Sequence, residues 1–576
     1  MSLVLHNTLT RKTEQFTPQN NTAVTLYTCG PTVYNYIHVG NWFSYVMWDI
    51  LVRTLLANGY TVNRVMNITD VGHLTGENEG DADRGEDKLE KGARREGKTA
   101  WEVAAFYTQD FLEGMKKLGL IPPEHITKAT DYIPQQLDLV RRLKQKGYTY
   151  QINDGIYFDT SKFPTYAEFA QLNLAAQKAG ARVEFNPEKH HPSDFALWKF
   201  TPADETRAME WETPVDLLDQ GLGDSVSKSS KPPQPANIGS SDTSQSLLHA
   251  ASESSPDTVD QATTANLYEG RQGQPAGPAT RSAPTLARTE ALDSVGAAPS
   301  GVTRKQPQVV MGFPGWHLEC SAMAMSILGD TIDIHTGGID HIPVHHTNEI
   351  AQSEAASGKL FSRFWLHNNH LKSEGTKISK SLGNGYTLQD LEAKGFSPMD
   401  FRMFALQSQY TNEGNFTWEN LEGAKNRLHH WRNVAALRWQ THDTLQSDSE
   451  ALANDKTVSL YGASGAIHEA LNDNLNTPEA LRIVDEAFSK LDSKSLSSVD
   501  QQSLEELLET IDTALGLQLR DTSPDISEEK KQLILQRTRA REAKDWAESD
   551  RLRDELESQG ISLRDTASGS IWEYSS

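Results

Sequence analysis

The chain has 576 residues, which is long enough for three or four domains that each bury a core of their own. Its formal net charge of −23 argues against a general polyanion binder, because non-specific affinity for nucleic acid rests on lysines and arginines that displace counterions. No stretch is long and apolar enough for a membrane span, and the N-terminus lacks a secretory signal, so we expect a cytoplasmic protein with no membrane partner.

The first elements are a strand, a turn with glycine and proline, and a helix. Apolar alternation predicts a strand from Ala23 to Tyr27, Gly30-Pro31 ends it, and Trp42 to Asn58 has apolar residues at helical spacing. A turn of this kind directs backbone N–H groups and the positive end of the helix dipole at a ligand, which favours phosphate. We therefore expect His38 beside a phosphate, and Gly40 where a flat ligand approaches the backbone.

A second strand is predicted from Thr61 to Met66, and it closes a β-α-β unit. Asn67-Ile68-Thr69-Asp70 follows at its carboxyl end, the edge where open parallel sheets bind ligands. With the charged, helical residues that follow, residues 1–146 are predicted to form the first half of a Rossmann-like domain. Residues 147–214 are predicted to be a connective insert, with short strands around Ile152 to Phe158.

The composition changes between residues 215 and 309. Ser, Pro, Ala, Gly, Thr and Gln dominate, and Tyr268 is the only aromatic residue. Such a segment cannot bury enough apolar surface to offset the entropy of ordering it, so we predict a disordered low-complexity insertion. It also explains the low hydrophobic content of the chain, 37%. We expect it to have no role of its own; a partner-binding linker is the alternative.

The second half of the domain is predicted from residue 310 to residue 387. It contains an apolar helix through Ser326 and a strand at Thr331 to Ile334, so residues 310–375 are expected to complete the parallel sheet. From Leu388 onward apolar residues recur at helical spacing, which predicts a helical bundle over residues 388–520 and a small C-terminal domain over residues 521–576.

Four side chains form a candidate metal site. His345 and Glu349 are spaced i and i+4, so a helix places both on one face. With Cys29 and Cys320 in loops at the edge of the sheet, two thiolates, one imidazole and one carboxylate suit Zn²⁺. An ordinary His–Glu pair on a helix surface and a disulfide between the two cysteines are the alternatives.

Two lysines form a candidate phosphate site. Lys377 and Lys380 lie three residues apart in a loop with serine and glycine, and such a loop can surround a polyphosphate. An exposed basic turn is the alternative reading.

One segment has the charge that RNA requires. Between Lys530 and Arg553, eight lysines and arginines stand against four acidic side chains, so local positive charge is concentrated there. A solvated helix face is the alternative.

Together these motifs resemble the cysteinyl-tRNA synthetases, a family of class I aminoacyl-tRNA synthetases. His38-Val39-Gly40-Asn41 matches the family's His-Ile-Gly-His signature, and Lys377 to Ser381 matches its KMSKS loop. Four further motifs stand between them in the family's order: Asn67-Ile68-Thr69-Asp70, Pro314 to Cys320, Gly337-Gly338-Ile339-Asp340, and His345-His346-Thr347-Asn348-Glu349. The match also includes Ala540 to Ala547 near the C-terminus and excludes residues 215–309.

The resemblance implies an α/β fold, with a Rossmann-like parallel-sheet catalytic domain that carries inserts and an α-helical C-terminal region after it. The small C-terminal domain would bind the anticodon. The implied reaction is ATP-dependent activation of L-cysteine to cysteinyl-adenylate, followed by transfer to the terminal adenosine of tRNA(Cys). A monomer is expected.

The resemblance also implies roles for individual residues. One Zn²⁺ per chain would be held by Cys29, Cys320, His345 and Glu349, and it would bind the thiolate of the substrate. Thr69 and Trp316 would line the amino-acid pocket. The residues expected to act on ATP with Mg²⁺ are His38, Asn41, Lys377 and Lys380 in catalysis, and Gly40, Gly337, Gly338, Asp340 and Lys380 in nucleotide binding.

Three positions depart from the family pattern. Asn41 replaces the second histidine of the first signature but can still donate a hydrogen bond, and Ile378 replaces methionine with a similar apolar contact. Thr347 stands where the family usually has glutamate, beside the proposed metal ligands, and it could change the support around them.

Two other functions compete with this interpretation. One is a ligase of the same ancestry that joins cysteine to an amino-sugar; such relatives lack the C-terminal helical region, which residues 400–576 supply here. The other is an inactive paralogue that only binds RNA. We expect such a paralogue to have lost charged phosphate contacts, and His38, Lys377 and Lys380 are all present.

Overall fold

The computed structural model describes residues 2–71, 74–75, 86–172, 186–202, 204–219, 309–379, 382–440, 460–492, 499–566 and 569–575. The predicted insertion at 215–309 lies outside the described residues except for 215–219 and 309. Those first residues contain a 3₁₀ turn, Val215–Leu217, in which Leu217 is buried. Within the described part of the chain, no helix is long and apolar enough to cross a membrane.

The strands of the described chain lie between Val4 and Phe416 and again near the C-terminus. They are β1 (Val4–Asn7), β2 (Lys12–Gln15), β3 (Ala23–Thr28), β4 (Thr61–Ile68), β5 (Leu74–Thr75), β6 (Glu86–Asp87), β7 (His125–Lys128), β8 (Thr149–Ile152), β9 (Gly155–Phe158), β10 (Phe195–Phe200), β11 (Trp211–Glu212), β12 (Met311–Pro314), β13 (Ile332–Gly338), β14 (Ser362–Asn368), β15 (Leu371–Ser373), β16 (Thr376–Lys377), β17 (Gly414–Phe416), β18 (Ile561–Thr566) and β19 (Gly569–Tyr574).

Helices flank the central sheet and dominate the second half. They are α1 (Val39–Ala57), α2 (Lys88–Glu96), α3 (Ala100–Lys117), α4 (Ile133–Gln145), α5 (Trp316–Leu328), α6 (Thr347–Ser357), α7 (Leu388–Ala393), α8 (Pro398–Leu406), α9 (Trp418–Ala435), α10 (Tyr461–Asn472), α11 (Thr477–Asp492), α12 (Gln501–Leu515), α13 (Leu519–Thr522), α14 (Glu528–Glu542) and α15 (Trp546–Ser558). A π-helical turn, Ile342–His346, leads directly into α6.

The central sheet has five parallel strands in the order β14-β13-β3-β4-β7. Strands β3 and β4 flank α1 as the predicted β-α-β unit, and Tyr27 pairs with Val65 between them. The helix ends where the sequence predicts, because Gly59 has a φ of +81° that favours glycine. The carboxyl ends of β3, β4 and β13 therefore meet at one edge of the sheet, hereafter the rim.

The connective insert forms a second, antiparallel sheet in the order β11-β12-β10-β9-β8. The strands expected around Ile152 to Phe158 are present as β8 and β9. The prediction that residues 310–375 complete the parallel sheet was wrong at both ends, because β12 pairs with β10 in the insert and β15 pairs with β16 and β17 in a separate small sheet. The backbone at Gly312 passes so close to Trp198 that a Cβ would lie 2.4 Å from the indole Nε1, and hydropathy gives no sign of this contact.

From Leu388 onward the chain is mainly helical, as predicted. The helices α7 to α13 share a core with the catalytic domain, in which Leu421, Leu428 and Trp431 of α9 are buried. Residues from α14, α15 and the β18–β19 hairpin form a separate small core around Ile534, Leu556 and Trp572.

Candidate active site and metal centre

The four predicted metal ligands meet at the rim. Cys29 follows β3, Cys320 lies one turn into α5, His345 belongs to the π turn, and Glu349 lies in the first turn of α6. One ligand atom from each lies within 4.8 Å of the others. The predicted i, i+4 pair is present, with His345 Nε2 lying 2.8 Å from Glu349 Oε1, and all four side chains are buried.

One detail of the expected site was wrong. Cys320 was expected in a loop, but Gly315 is the N-cap of α5 and the helix has already begun at Trp316. The thiol therefore projects from a rigid helix, which fixes its position relative to α6.

The electrostatics of the cluster favour a bound cation. A hydrogen bond with Cys29 lowers the pKa of Cys320 to about 6, and burial raises the pKa of the Cys29 thiol. Burial alone would raise the pKa of Glu349, but His335 and His345 outweigh it and hold that pKa well below its usual range. Burial alone would lower the pKa of His345, yet Glu349 and Cys320 raise it to about 10. Bound protons thus balance the negative charge of the thiolate and carboxylate groups. A divalent cation could take the place of these protons.

Three histidines that the sequence interpretation did not select support this cluster. His335 Nε2 lies 2.9 Å from Glu349 Oε2, and His346 Nε2 lies 3.4 Å from Cys29 Sγ. His346 Nδ1 is in turn 2.7 Å from Nε2 of His367. Hydrogen bonds of this kind orient metal ligands. A signal existed in the sequence: His335 directly follows the strand predicted at Thr331 to Ile334, at the end where parallel sheets bind ligands, and His346 adjoins a proposed ligand.

Thr347 has a structural role beside the cluster. Its side chain is buried, and its Oγ1 donates a hydrogen bond of 2.7 Å to the carbonyl oxygen of Ile342. This bond closes the π turn that carries His345. Such turns occur often at functional sites, because they offset neighbouring side chains from regular helical spacing.

The two predicted substrate-binding residues also lie at the rim. The Trp316 ring stacks on the imidazole of His345, with centroids 4.4 Å apart and planes at 26°. Thr69 is buried at the end of β4, where its backbone N–H donates to Pro31 and its Oγ1 accepts from the amide of Asn67 at 3.1 Å. Trp316 therefore borders the metal cluster directly, and Thr69 is fixed between two rim segments.

The first signature begins α1. His38 is the N-cap, and its Nδ1 accepts the backbone N–H of Gly40 at 3.1 Å. The ring proton is then on Nε2, which makes that nitrogen a donor. A Cβ at Gly40 would lie 3.0 Å from the His38 ring and 3.1 Å from Ile378 Cδ1. Asn41, in the first turn of α1, is exposed.

The second signature folds against the first. The backbone N–H of Val39 donates to the carbonyl oxygen of Tyr386 at 2.8 Å, and His38 pairs with Thr387. Asn384 closes the loop, because its Oδ1 accepts from the Ser379 N–H at 2.9 Å. The structure therefore brings the two signatures together. Lys377 belongs to the exposed end of β16, whereas Lys380 lies outside the described residues.

The two glycines that end β13 permit close contacts. A Cβ at Gly337 would lie 2.5 Å from Cε1 of His346, and one at Gly338 would lie 2.4 Å from Oδ1 of Asp340. Burial acts to raise the pKa of Asp340, but His341, and more weakly Lys377, lower it. The Gly-Gly-Ile-Asp segment thus lies between the metal cluster and the second signature.

The C-terminal basic segment is only partly available for RNA. Arg537 is fully buried, and its guanidinium donates to Asp565 at 2.9 Å from both terminal nitrogens. This arginine stabilises the small core. Arg551, in contrast, is exposed and pairs with Glu548 and Glu555 on its own helix.

The rim of the parallel sheet carries these two signature loops, one at the N-terminus of a helix and the other folded against it. This arrangement defines a class I aminoacyl-tRNA synthetase. Residues 15–217 and 301–426 match the family described as tRNA synthetases class I (C) catalytic domain, and residues 523–572 match the cysteinyl-tRNA ligase anticodon binding domain. The chain belongs to the cysteine–tRNA ligase family.

Relatives agree with this assignment, and a solved structure shares the fold. The cysteine–tRNA ligase of Treponema denticola is 34% identical over 597 residues, covering 99% of each chain. Cysteine–tRNA ligase 1 of Burkholderia lata is also 34% identical, covering 99% of this chain and 96% of the relative. The LeuRS-tRNA-LeuAMS complex of Agrobacterium radiobacter K84 matches with a TM-score of 0.51 at 11% sequence identity, and the match covers 89% of this chain and 87% of the chain in that complex. This similarity shows the fold alone.

Proposed function

We infer that the protein activates L-cysteine with ATP to cysteinyl-adenylate and transfers the cysteinyl group to the 3′-terminal adenosine of tRNA(Cys). The observation that carries this function is the buried cluster of two thiols, one imidazole and one carboxylate beside the two signature loops. The family match of the C-terminal residues to an anticodon-binding domain supports tRNA as the acceptor.

The donor set at the rim fits one Zn²⁺ per chain. The ligands would be Cys29, Cys320, His345 and Glu349, whose ligand atoms are close enough to surround one ion. A bound zinc ion would supply a soft Lewis-acid contact for the substrate thiolate, and this contact separates cysteine from serine more sharply than an apolar pocket could. We assign Trp316 and Thr69 to the walls around that thiolate.

For the first step, we assign the phosphate contacts to the signature loops. A carboxylate oxygen of cysteine attacks the α-phosphorus of ATP, and pyrophosphate leaves with its Mg²⁺. The Nε2 proton of His38 and the amide of Asn41 would hold the phosphates. Lys377 and Lys380 would stabilise the charge that develops on pyrophosphate, an effect felt mainly in the transition state.

Nucleotide binding is assigned to the glycines of the rim. Gly40 and Gly338 would leave the backbone open to adenosine, and Asp340 would accept a hydrogen bond from the ribose. Gly337 borders His346 and links this pocket to the metal cluster. We also propose a monomeric, cytoplasmic enzyme; sedimentation of the purified protein measures the first of these properties.

Cysteine-dependent exchange of pyrophosphate into ATP tests the reaction. We expect exchange by zinc-loaded protein, with little exchange when serine replaces cysteine. Absence of exchange would refute the synthetase assignment and leave an inactive RNA-binding paralogue. Exchange without charging of tRNA(Cys) would instead favour the amino-sugar ligase.

Substitution of Cys320 tests the metal site separately from activity. Cys320→Ser replaces a thiolate by a hydroxyl, a far weaker zinc ligand, so we expect the zinc content to fall from about one to well below half an ion per chain. Ser326→Ala, near the end of the same helix, is the matched control and should retain its zinc. Equal zinc content in both variants, measured by plasma emission after gel filtration, would remove Cys320 from the ligand set.

A further inference from the structure

A cationic surface follows α2. Between residues 88 and 98, five cationic side chains stand against two carboxylates, in a chain whose formal net charge is −23. Hereafter the α2 strip denotes these five cationic residues: Lys88, Lys91, Arg94, Arg95 and Lys98. Four of them are exposed, and the buried face of α2 consists of Leu89, Gly92 and Ala93.

The α2 strip packs on the segment that leads to His38. Arg95 Nη2 donates a hydrogen bond of 3.3 Å to the carbonyl oxygen of Tyr34, and Lys88 Nζ lies 5.5 Å from the centroid of the Tyr34 ring. Gly92 lets the helix approach closely, since a Cβ there would be 3.3 Å from the same carbonyl oxygen. Tyr34 lies only four residues before His38, so the strip contacts the loop that carries His38.

Two half-exposed aromatic rings lie beside the strip. Tyr36 and Phe106 are 39% and 44% exposed, and their ring centroids are 6.1 Å apart in an edge-to-face arrangement. Lys98 Nζ lies 4.7 Å from the Phe106 centroid. Aromatic faces beside cations are the elements with which proteins hold single-stranded nucleic acid, because bases stack on the rings while the cations pair with phosphates.

Glu96 orients part of the strip. It accepts a hydrogen bond of 2.6 Å from the hydroxyl of Tyr107, and it pairs with Arg95 at 2.8 Å and with Lys98 at 3.3 Å. One carboxylate thus fixes two cations beside the aromatic rings, and the local charge remains positive.

We propose that the α2 strip, with Tyr36 and Phe106, binds the single-stranded 3′ end of the tRNA. This inference rests on the proposed function. The terminal adenosine must reach the loop of His38 to accept the cysteinyl group, and the strip borders that loop. A single strand also presents the unstacked bases that exposed rings can hold. A double-stranded stem, in which the bases are already stacked, would contact the cations but not the aromatic rings.

Reversal of two charges tests the surface. Lys91→Glu with Arg94→Glu changes two exposed side chains one turn apart and leaves the buried face of α2 intact. We expect kcat/KM for tRNA to fall at least tenfold, while cysteine-dependent pyrophosphate exchange stays within twofold. The slope of log kcat/KM against log salt should become shallower by about 1.4, because two contacts to a single strand are lost at about 0.7 each. Lys12→Glu with Lys359→Glu, on β2 and before β14, is the control and should charge tRNA like the wild type.

A tRNA that lacks its unpaired 3′ nucleotides tests whether the α2 strip contacts the 3′ end or the paired stem. In the wild type, removal of the unpaired 3′ nucleotides should weaken binding about tenfold. In the charge-reversed protein and in Phe106→Ala, full-length and shortened tRNA should bind alike. An equal penalty in wild type and variants would overturn the proposal, and so would a parallel loss of exchange and charging. A wild type without exchange would refute the proposed function and this inference together, whereas an active wild type with normally charging variants refutes the inference alone.

Discussion

At the scale of single residues, Gly337, the last residue but one of β13, determines how closely the histidines beside the metal cluster pack. A Cβ at Gly337 would meet His346 at 2.5 Å and Nδ1 of His341 at 2.8 Å. His346 is also the neighbour of Cys29, at 3.4 Å. The absence of a side chain at position 337 therefore lets the imidazole reach a proposed zinc ligand.

Gly337→Ala is expected to displace His346 and to loosen the cluster. Overpacking of this kind typically costs about 1–3 kcal/mol, and we expect the KM for cysteine in the exchange reaction to rise. Gly423→Ala is the control: nothing lies within 4 Å of its Cβ position in α9, so alanine there should stabilise the protein by about 0.5–1 kcal/mol. Thermal unfolding and exchange kinetics of both variants measure this, and an unchanged KM in Gly337→Ala contradicts the interpretation.

At the scale of elements, the second signature loop is held by one asparagine. Asn384 Oδ1 accepts from the Ser379 N–H, and Asn384 Nδ2 donates to Thr376 Oγ1 at 3.0 Å and to the carbonyl oxygen of Lys377 at 3.2 Å. These bonds close the loop around its two ends and hold it near the start of α1.

Asn384→Ala should release the loop without removing either lysine. Because the loop is assigned to the transition state, we expect kcat for pyrophosphate exchange to fall about tenfold with little change in the KM for cysteine. Asn153→Ala removes an exposed asparagine from the β8–β9 turn and should leave kcat unchanged. A rise in the cysteine KM at constant kcat would place Asn384 in substrate binding instead.

The sequence predicted local elements well and distant pairing poorly. The first β-α-β unit was predicted from the spacing of its apolar residues and from Gly59, which ends the helix. The i, i+4 spacing correctly placed His345 beside Glu349. The pairing of β12 with β10 depends on a contact between residues more than a hundred positions apart, which no local pattern records. His335 was missed although it directly follows a predicted strand, since its contact with Glu349, fourteen positions later, is recorded by no regular spacing of a helix or strand.

At the scale of the whole molecule, one buried carboxylate joins the catalytic domain to the helical region. Asp49 of α1 accepts from Arg53 Nε at 2.6 Å and pairs with the buried Arg402 of α8. Arg402 Nε donates to the carbonyl oxygen of Leu515 at 2.8 Å, and Arg53 Nη1 donates to that of Thr513 at 2.9 Å. The helix that His38 caps is thus tied to the end of α12.

Asp49→Asn would leave two arginines in the interior without their anion. Removing one partner of a buried ion pair typically costs about 3–5 kcal/mol, so we expect a clear fall in the free energy of unfolding at pH 7. Asp216→Asn, which breaks an exposed pair with Arg141, should cost less than about 1 kcal/mol. Urea unfolding of the two variants and the wild type gives the comparison.

The pKa of the Asp49 carboxylate predicts how the stability of the protein depends on pH. Burial would raise the pKa of Asp49, but Arg53 and Arg402 lower it to about 2. The unfolded value is about 3.9, so the folded state binds its proton less readily, and the group contributes about 2–3 kcal/mol above pH 4. That contribution is lost as the pH falls from about 4 to about 2. The difference in unfolding free energy between wild type and Asp49→Asn should therefore shrink over this range. A difference that stays constant between pH 4 and pH 2 would show that Asp49 does not hold this charge in the folded protein.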